Sequence, residues 1–399
     1  MTPVPAPALF RHPSTGGVRF GTGAAELLGS ALDELGILQA LAVLTPSVAR
    51  DGATVDRLQA AAGGRLTVFA AIQPHTPYEA VLSAARAARA VAADGLVSVG
   101  GGSAIDTARL AALCVGEGVD TAADLHELRV QATPDGPRFP VASAHSLPHV
   151  AVPTTLSAAE FSDGGAATCE WTGRKELFIG PSLACRMVLT DPGLACATPA
   201  QTWAMTGIRA LDHALETILS PRASALTDEL SCAAIVHLRR SLPAALAAPE
   251  DEAVRAEGQL GAWLSYFGVA NGTLGLSHAI GHQLGAQLGI PHGLASCIAL
   301  PDVVLFLAPF AGGKLRPAAR ALEVDEPGTD DRALAARVAG AVDDLIRQLG
   351  LPRRLGEIDA PPVDVERLAD AVLCDFLVDG TPGGPPSRQE LIGLLASLA

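Results

Sequence analysis

The sequence predicts an α/β half built on a parallel sheet, followed by an all-helical half, with the boundary at residues 191/192. Three observations carry this. Short apolar runs alternate with helical stretches through the first half, as in βαβ units. Strand signals fade after Asp191-Pro192, and from Pro199 onward the apolar periodicity is helical. At 399 residues the chain also exceeds what one hydrophobic core usually supports, which gives two domains, 1–191 and 192–399.

The elements follow in order. Ala40–Leu44 (ALAVL) and 66–71 (LTVFAA) read as buried strands, and 78–93 as an Ala-rich helix. A strand at 95–99, a glycine turn, a helix from 104 to about 115 and a strand at 150–153 come next. Residues 116–148, with Pro134, Pro137 and Pro140, read as an excursion from the sheet. Helices are expected at 202–219, 225–248, 253–269, Leu276–Leu288, 333–349 and Val365–Leu373. The most apolar stretch, 294–310, contains Pro301, Asp302 and Pro309 and is short for a membrane span, so it reads as a buried helix.

Composition narrows the class. Apolar residues make up 49% and aromatics 4%, so the core is built from Ala, Val, Leu and Ile. A net charge of −14 disfavours nucleic acid and anionic membranes. The cations are almost all Arg; Lys175 and Lys314 are the lysines. Seven cysteines at scattered spacings, without a CxxC pair, argue against a disulfide framework or a cysteine-based metal site and for buried free thiols. The first residues, MTPVPAPALFRHPSTGG, lack the layout of a signal peptide, so a cytoplasmic protein is expected.

Chemistry begins at Val97–Arg109 (VSVGGGSAIDTAR). A strand ends, Gly100, Gly101, Gly102 and Ser103 follow, and a helix begins. Glycines let backbone approach a ligand, and a helix N-terminus favours a pyrophosphate. The loop is not a GxGxxG fingerprint. Thr45, at the end of an early strand, is not followed by a carboxylate that would repel a 2′-phosphate, so NADH and NADPH both remain open. In the second half, Arg209 and His213 are spaced i, i+4, as are His278 and His282, and His292 follows a proline that marks a helix end. Imidazoles converging in one cleft suit a divalent metal or proton transfer near neutral pH, whereas singly each is more often a satisfied core or cap residue. Gly281, Gly285 and Gly289 form a stripe that lets another helix or a cofactor approach.

Together these motifs resemble the iron-containing, or group III, alcohol dehydrogenases. Gly100–Arg109 is similar to that family's GGGSxxDxAK motif, and 151–160 (AVPTTLSAAE) to its PTT loop. Asp191-Pro192, 207–216 (GIRALDHALE) and 278–293 (HAIGHQLGAQLGIPHG) follow in the family's order. The resemblance implies a dehydroquinate synthase-like architecture, with an α/β dinucleotide-binding domain, an all-α domain, a cleft between them, and a possible homodimer. It implies cofactor contacts from Gly100, Gly101, Gly102, Ser103, Asp106, Thr154 and Thr155, with Thr45 beside them. Metal-dependent members bind iron or zinc through an Asp and three His, and the His positions match His213, His278 and His292. His282 matches a further histidine near nicotinamide and substrate.

The Asp position is Arg209 here, and a guanidinium does not ligate a cation. Metal binding is therefore expected to be weak or lost, and Asp212, about 100° round the helix from His213, is a poor substitute. Maleylacetate reductases, a branch that works without the metal, share the short spacing from Pro153 to Glu160 and resemble His75-Thr-Pro77. Asp106, Asn271 and Pro291-His292-Gly293 look more like the alcohol dehydrogenases.

The expectation is an NAD(P)H-dependent reductase of a small carbonyl compound, one bearing a carboxylate if it follows the maleylacetate branch. Arg209 and a protonated His213, His278 or His282 would stabilise the oxyanion, or Arg209 would clamp a substrate carboxylate or simply pair with Glu160 or another acid. A metal-dependent alcohol or polyol dehydrogenase, a silent nucleotide-binding member and, more remotely, a sugar-phosphate cyclase are the rivals.

Overall fold

The structure, a computed structural model, describes residues 14–133, 136–269 and 271–399; the first thirteen residues and Pro134 lie outside these. The described strands are β1 (Val18–Phe20), β2 (Ala40–Leu44), β3 (Leu66–Phe69), β4 (Gly95–Gly100), β5 (Gln131–Thr133), β6 (Gly136–Arg138), β7 (His149–Pro153), β8 (Gly164–Cys169), β9 (Arg174–Ile179) and β10 (Met187–Thr190). Six of them form one parallel sheet in the order β1-β10-β7-β4-β2-β3. Strands β2, β4, β7 and β10 are buried at every residue, as expected of a parallel sheet covered on both faces. Helices Tyr78–Ala90 and Gly102–Glu117 cover one face, and Leu28–Glu34 and Gly52–Ala61 pack in the cluster on the other. The chain runs outward from β2 to β3, then returns to lay β4 on the other side of β2. The crevice at the carboxyl ends of β2 and β4 is thus a topological switch point, where open α/β sheets bind ligands.

From Pro192 on, the described structure is helical. Helix Ala200–Leu219 is the axis of this half, packed by Ala225–Ala247, Glu252–Phe267 and His292–Phe306. The apolar stretch expected as one helix over 294–310 starts at His292, stops at Phe306, and resumes as Ala308–Ala311. No described helix is long and apolar enough to cross a membrane.

Other departures come where the local signal is short or polar. The 116–148 excursion contains a helix, Ala122–Glu127, and the small hairpin β5–β6. Strands β1 and β10 are only three and four residues long. The antiparallel hairpin β8–β9 has a charged second strand that does not look buried. Cysteines 114, 169, 185 and 297 are buried as expected, but Cys374 is exposed.

Candidate active site

At the carboxyl end of β4 the glycine turn is enclosed by hydroxyl side chains. Gly100 has φ 144°, a left-handed conformation, and a Cβ there would collide with Thr45. A Cβ on Gly101 would lie 3.0 Å from Thr155 Cγ2, and one on Gly102 3.5 Å from Ser157 Oγ. Thr154 N donates to Gly100 O, and Thr45 N to Val99 O, which fixes both threonine loops against the turn. Thr155 Oγ1 is buried and has no hydrogen-bond partner among the described residues. With Gly102 opening a sixteen-residue helix, backbone N–H groups, a positive dipole end and an unpaired hydroxyl meet at one place. These residues fit a dinucleotide pyrophosphate.

One turn into that helix Asp106 lies 3.6 Å from Arg109, and its charge also acts on Lys175. Lys175, on β9, places Nζ 2.8 Å from His292 Nε2. His292 in turn packs on His282, with ring centroids 5.3 Å apart. His213 stacks obliquely on His278 at 4.9 Å and meets Tyr266 edge-on at 5.1 Å. The four imidazoles singled out from the sequence therefore lie in one cluster, connected through Lys175 and Asp106 to the glycine turn. Local sequence explains their directions. His278 and His282 lie one turn apart on the Leu276–Leu288 helix. Gly289 then ends that helix in left-handed geometry, and Pro291 starts the next with His292 in its first turn.

The glycine stripe serves side chains. A Cβ at Gly281 would stand 3.6 Å from Arg209 Nη1 and 3.9 Å from His292 Nδ1, and one at Gly285 would stand 3.9 Å from His75 Nδ1. Arg209 reaches Ser296 Oγ at 3.5 Å and faces the charges of Asp212 and Glu216. Glu160 faces Arg109, so the acids that Arg209 meets are Asp212 and Glu216 rather than Glu160. Asp212, expected to point away, lies 3.5 Å from His278 Nδ1, while Glu216 lies 2.6 Å from the same nitrogen.

Electrostatics corrects the expectation of imidazolium groups at His213 and His278. Burial, reinforced by neighbouring imidazoles and by Arg209, pulls both well below the ordinary histidine range, which favours the neutral form. Burial, then Lys175 and Arg209, does the same to His292. Desolvation pushes Lys175 down to about 8, with Asp106 opposing and Arg209 assisting. Burial raises Asp212 and Glu216, which also repel each other.

A divalent ion does not fit the positions matched to the family's metal site. Arg209 stands where an acid is required, and the Lys175 ammonium sits against the Nε2 lone pair of His292. His213, His278 and His292 do not bring three donor atoms within 4.8 Å of one another; in this cleft that grouping is Asp212, Glu216 and His278. Within that grouping Asp212 accepts from Ser277 and Ser296, and Glu216 from Gly275 N and Ser277 N.

Sequence reasoning missed two members of the cleft. Lys175 is one of only two lysines in the chain, a rarity that could have singled it out. Asp375 accepts from His282 Nδ1 at 2.8 Å; burial would raise its carboxyl, but His282 and bonds from Leu377 N and Gln283 outweigh that and hold it low.

Comparison with known proteins agrees with this architecture. Residues 15–192 match the iron-containing alcohol dehydrogenase family, and residues 203–398 match the Fe-containing alcohol dehydrogenase family, C-terminal. The lactaldehyde reductase of Escherichia coli (strain K12) is 30% identical over 366 residues, covering 91% of this chain and 93% of that protein. The maleylacetate reductase of Pseudomonas sp. (strain P51) is 28% identical over 368 residues, covering 91% of each. The crystal structure of a 1,3-propanediol oxidoreductase superposes with a TM-score of 0.88 at 25% identity, covering 98% of this chain and 100% of that one. The chain belongs to the iron-containing alcohol dehydrogenase family. It is an oxidoreductase of alcohol or carbonyl groups.

Proposed function

We propose that this protein is an NAD(P)H-dependent reductase of a small carbonyl compound that carries a carboxylate, and that it works without the family's metal. Residues 1–191 would seat the dinucleotide and 192–399 would furnish most of the reacting site. One observation carries the reading: two cations from opposite halves, Lys175 and Arg209, flank His292 where a metal would otherwise lie.

Gly100, Gly101, Gly102 and Ser103 would hold the pyrophosphate, with Thr45, Thr154, Thr155 and Asp106 around it. When bound, the nicotinamide supplies the hydride that adds to the carbonyl carbon. The guanidinium of Arg209 presents a planar fork suited to a carboxylate, and Lys175 adds a compact charge beside it. Both also stabilise negative charge growing on the carbonyl oxygen. Neutral His213 and His278 contribute N–H donors rather than charge. Asp375 fixes the proton of His282 on Nδ1, leaving Nε2 toward the cleft to relay a proton to the substrate oxygen. Hydride on carbon and proton on oxygen complete the alcohol. A metal-dependent alcohol or polyol dehydrogenase is the second reading, supported by the grouping of Asp212, Glu216 and His278.

The test is oxidation of NADH and of NADPH with neutral aldehydes, diols' carbonyl forms and carbonyl acids, with and without a chelator. Carbonyl acids should be reduced best and the chelator should have no effect. Preference for neutral compounds, with activity lost to the chelator, would establish the metal-dependent reading. No oxidation of either cofactor would mark a silent member.

A further inference from the structure

The hairpin β8–β9 turns one face to the cleft and the other away from it. Lys175 and Glu176 are consecutive in β9 and project to opposite faces, Lys175 toward His292 and Glu176 toward Tyr78 and His126. We propose that His126, Cys169 and Glu176 form a structural zinc site on the outer face, separate from the catalytic cleft and independent of how that cleft works.

The register brings the ligands together. Ala167 pairs with Glu176, so Cys169, two residues on, shares its face and is a diagonal neighbour. The helix Ala122–Glu127 brings His126 over the same face, with Nδ1 2.9 Å from Glu176 Oε2. One donor atom from each of the three lies within 4.8 Å of the others. A thiolate, an imidazole and a carboxylate are the mixed donors zinc takes; calcium and magnesium prefer oxygen alone. The Tyr78 phenol, buried, donates to Glu176 and fixes its carboxylate, the outer support that metal ligands usually have. Trp171 packs edgewise on Tyr78 and lies 5.2 Å from the His126 ring. A water would complete four ligands, and Thr172 Oγ1, 3.5 Å from Glu176 Oε1, donates to the carboxylate. Arg129, 3.9 Å from Glu176 Oε1, lies on the carboxylate's other oxygen and offsets part of the ligand charge.

On binding, Cys169 releases its thiol proton to solvent. His126 and Glu176 side chains are 18% and 10% exposed, which leaves an entry path. Because the ligands come from three separate elements, the absence of a CxxC pair did not reveal them. Bound zinc would pin the hairpin that carries Lys175.

The test titrates cobalt(II), then zinc, into chelator-treated full-length protein. One equivalent of cobalt should give a near-ultraviolet thiolate-to-cobalt band, which zinc abolishes. The band should persist in His278→Ala and vanish in Cys169→Ser, and zinc should raise the unfolding midpoint of the wild type but not of Cys169→Ser. Absence of the band from the wild type, or its survival in Cys169→Ser, overturns the site. Should Cys169→Ser not fold, Glu176→Gln decides: at least a tenfold loss of zinc affinity is expected, and unchanged affinity overturns the proposal.

Discussion

The two ends of the cleft are built from different materials. The glycine turn after β4 presents backbone and threonine hydroxyls, and its shape depends on what is missing from Gly100, Gly101 and Gly102. The far end, between the Ala200–Leu219 and Leu276–Leu288 helices, is crowded with ionisable groups whose charges are set by burial and by one another. A site of the first kind tolerates little change in shape, and a site of the second kind little change in charge.

The largest break is expected from Arg209→Asp. Removing a buried cation paired with an anionic substrate costs on the order of 2–5 kcal/mol. The expected result is a fall of about a hundredfold or more in kcat/KM for a carbonyl acid, with cofactor affinity unchanged. The same variant should gain affinity for a divalent ion, measured by metal titration. Unchanged turnover together with unchanged metal content would remove Arg209 from the site. At the other end, Gly100→Ala places a side chain at positive φ against Thr45, a strain of about 1–3 kcal/mol. Cofactor Kd, followed by fluorescence titration, should rise about tenfold to a hundredfold.

The smallest effect sharpens the charge side without touching the chemistry. Glu160 is buried, one oxygen has no partner among the described residues, and desolvation pushes its carboxyl up to about 7 despite Arg109 nearby. A carboxyl raised on folding loses stability as pH climbs from the ordinary glutamate range toward 7, because the unfolded chain ionises first. Glu160→Gln removes that loss. The variant's stability advantage should grow by about 1 kcal/mol per pH unit between pH 5 and 7 and level off above, measured by chemical denaturation. A flat difference would mean that Glu160 ionises freely in the folded protein.

Much of this was legible where the signal is local. The apolar runs of β2, β4 and β7 and the glycine turn between β4 and its helix are short contiguous patterns, and the i, i+4 spacing of His278 and His282 survives folding directly. Arg209 was found because a surrounding motif marks its position. Lys175 and Asp375 were not, because their partners lie 117 and 93 residues away and no pattern near either residue reports the pairing. Strand β9 hid behind charged residues that point to opposite faces of a partly buried hairpin. The downward pull on the His213 and His278 imidazoles comes from enclosure by several helices, which spacing along one helix does not convey.

The threonine loop after β7 is tied to the helical half by more than contact. Thr198 Oγ1 donates to Thr154 O at 2.6 Å, Leu156 N donates to Thr206 Oγ1 at 3.1 Å, and Tyr266 OH donates to Ser162 Oγ at 3.0 Å. These tethers join residues 154–162 to Thr198 and to the Ala200–Leu219 and Glu252–Phe267 helices. With these bonds in place, the 154–162 loop is expected to follow the helical half rather than the sheet in any relative movement of the two.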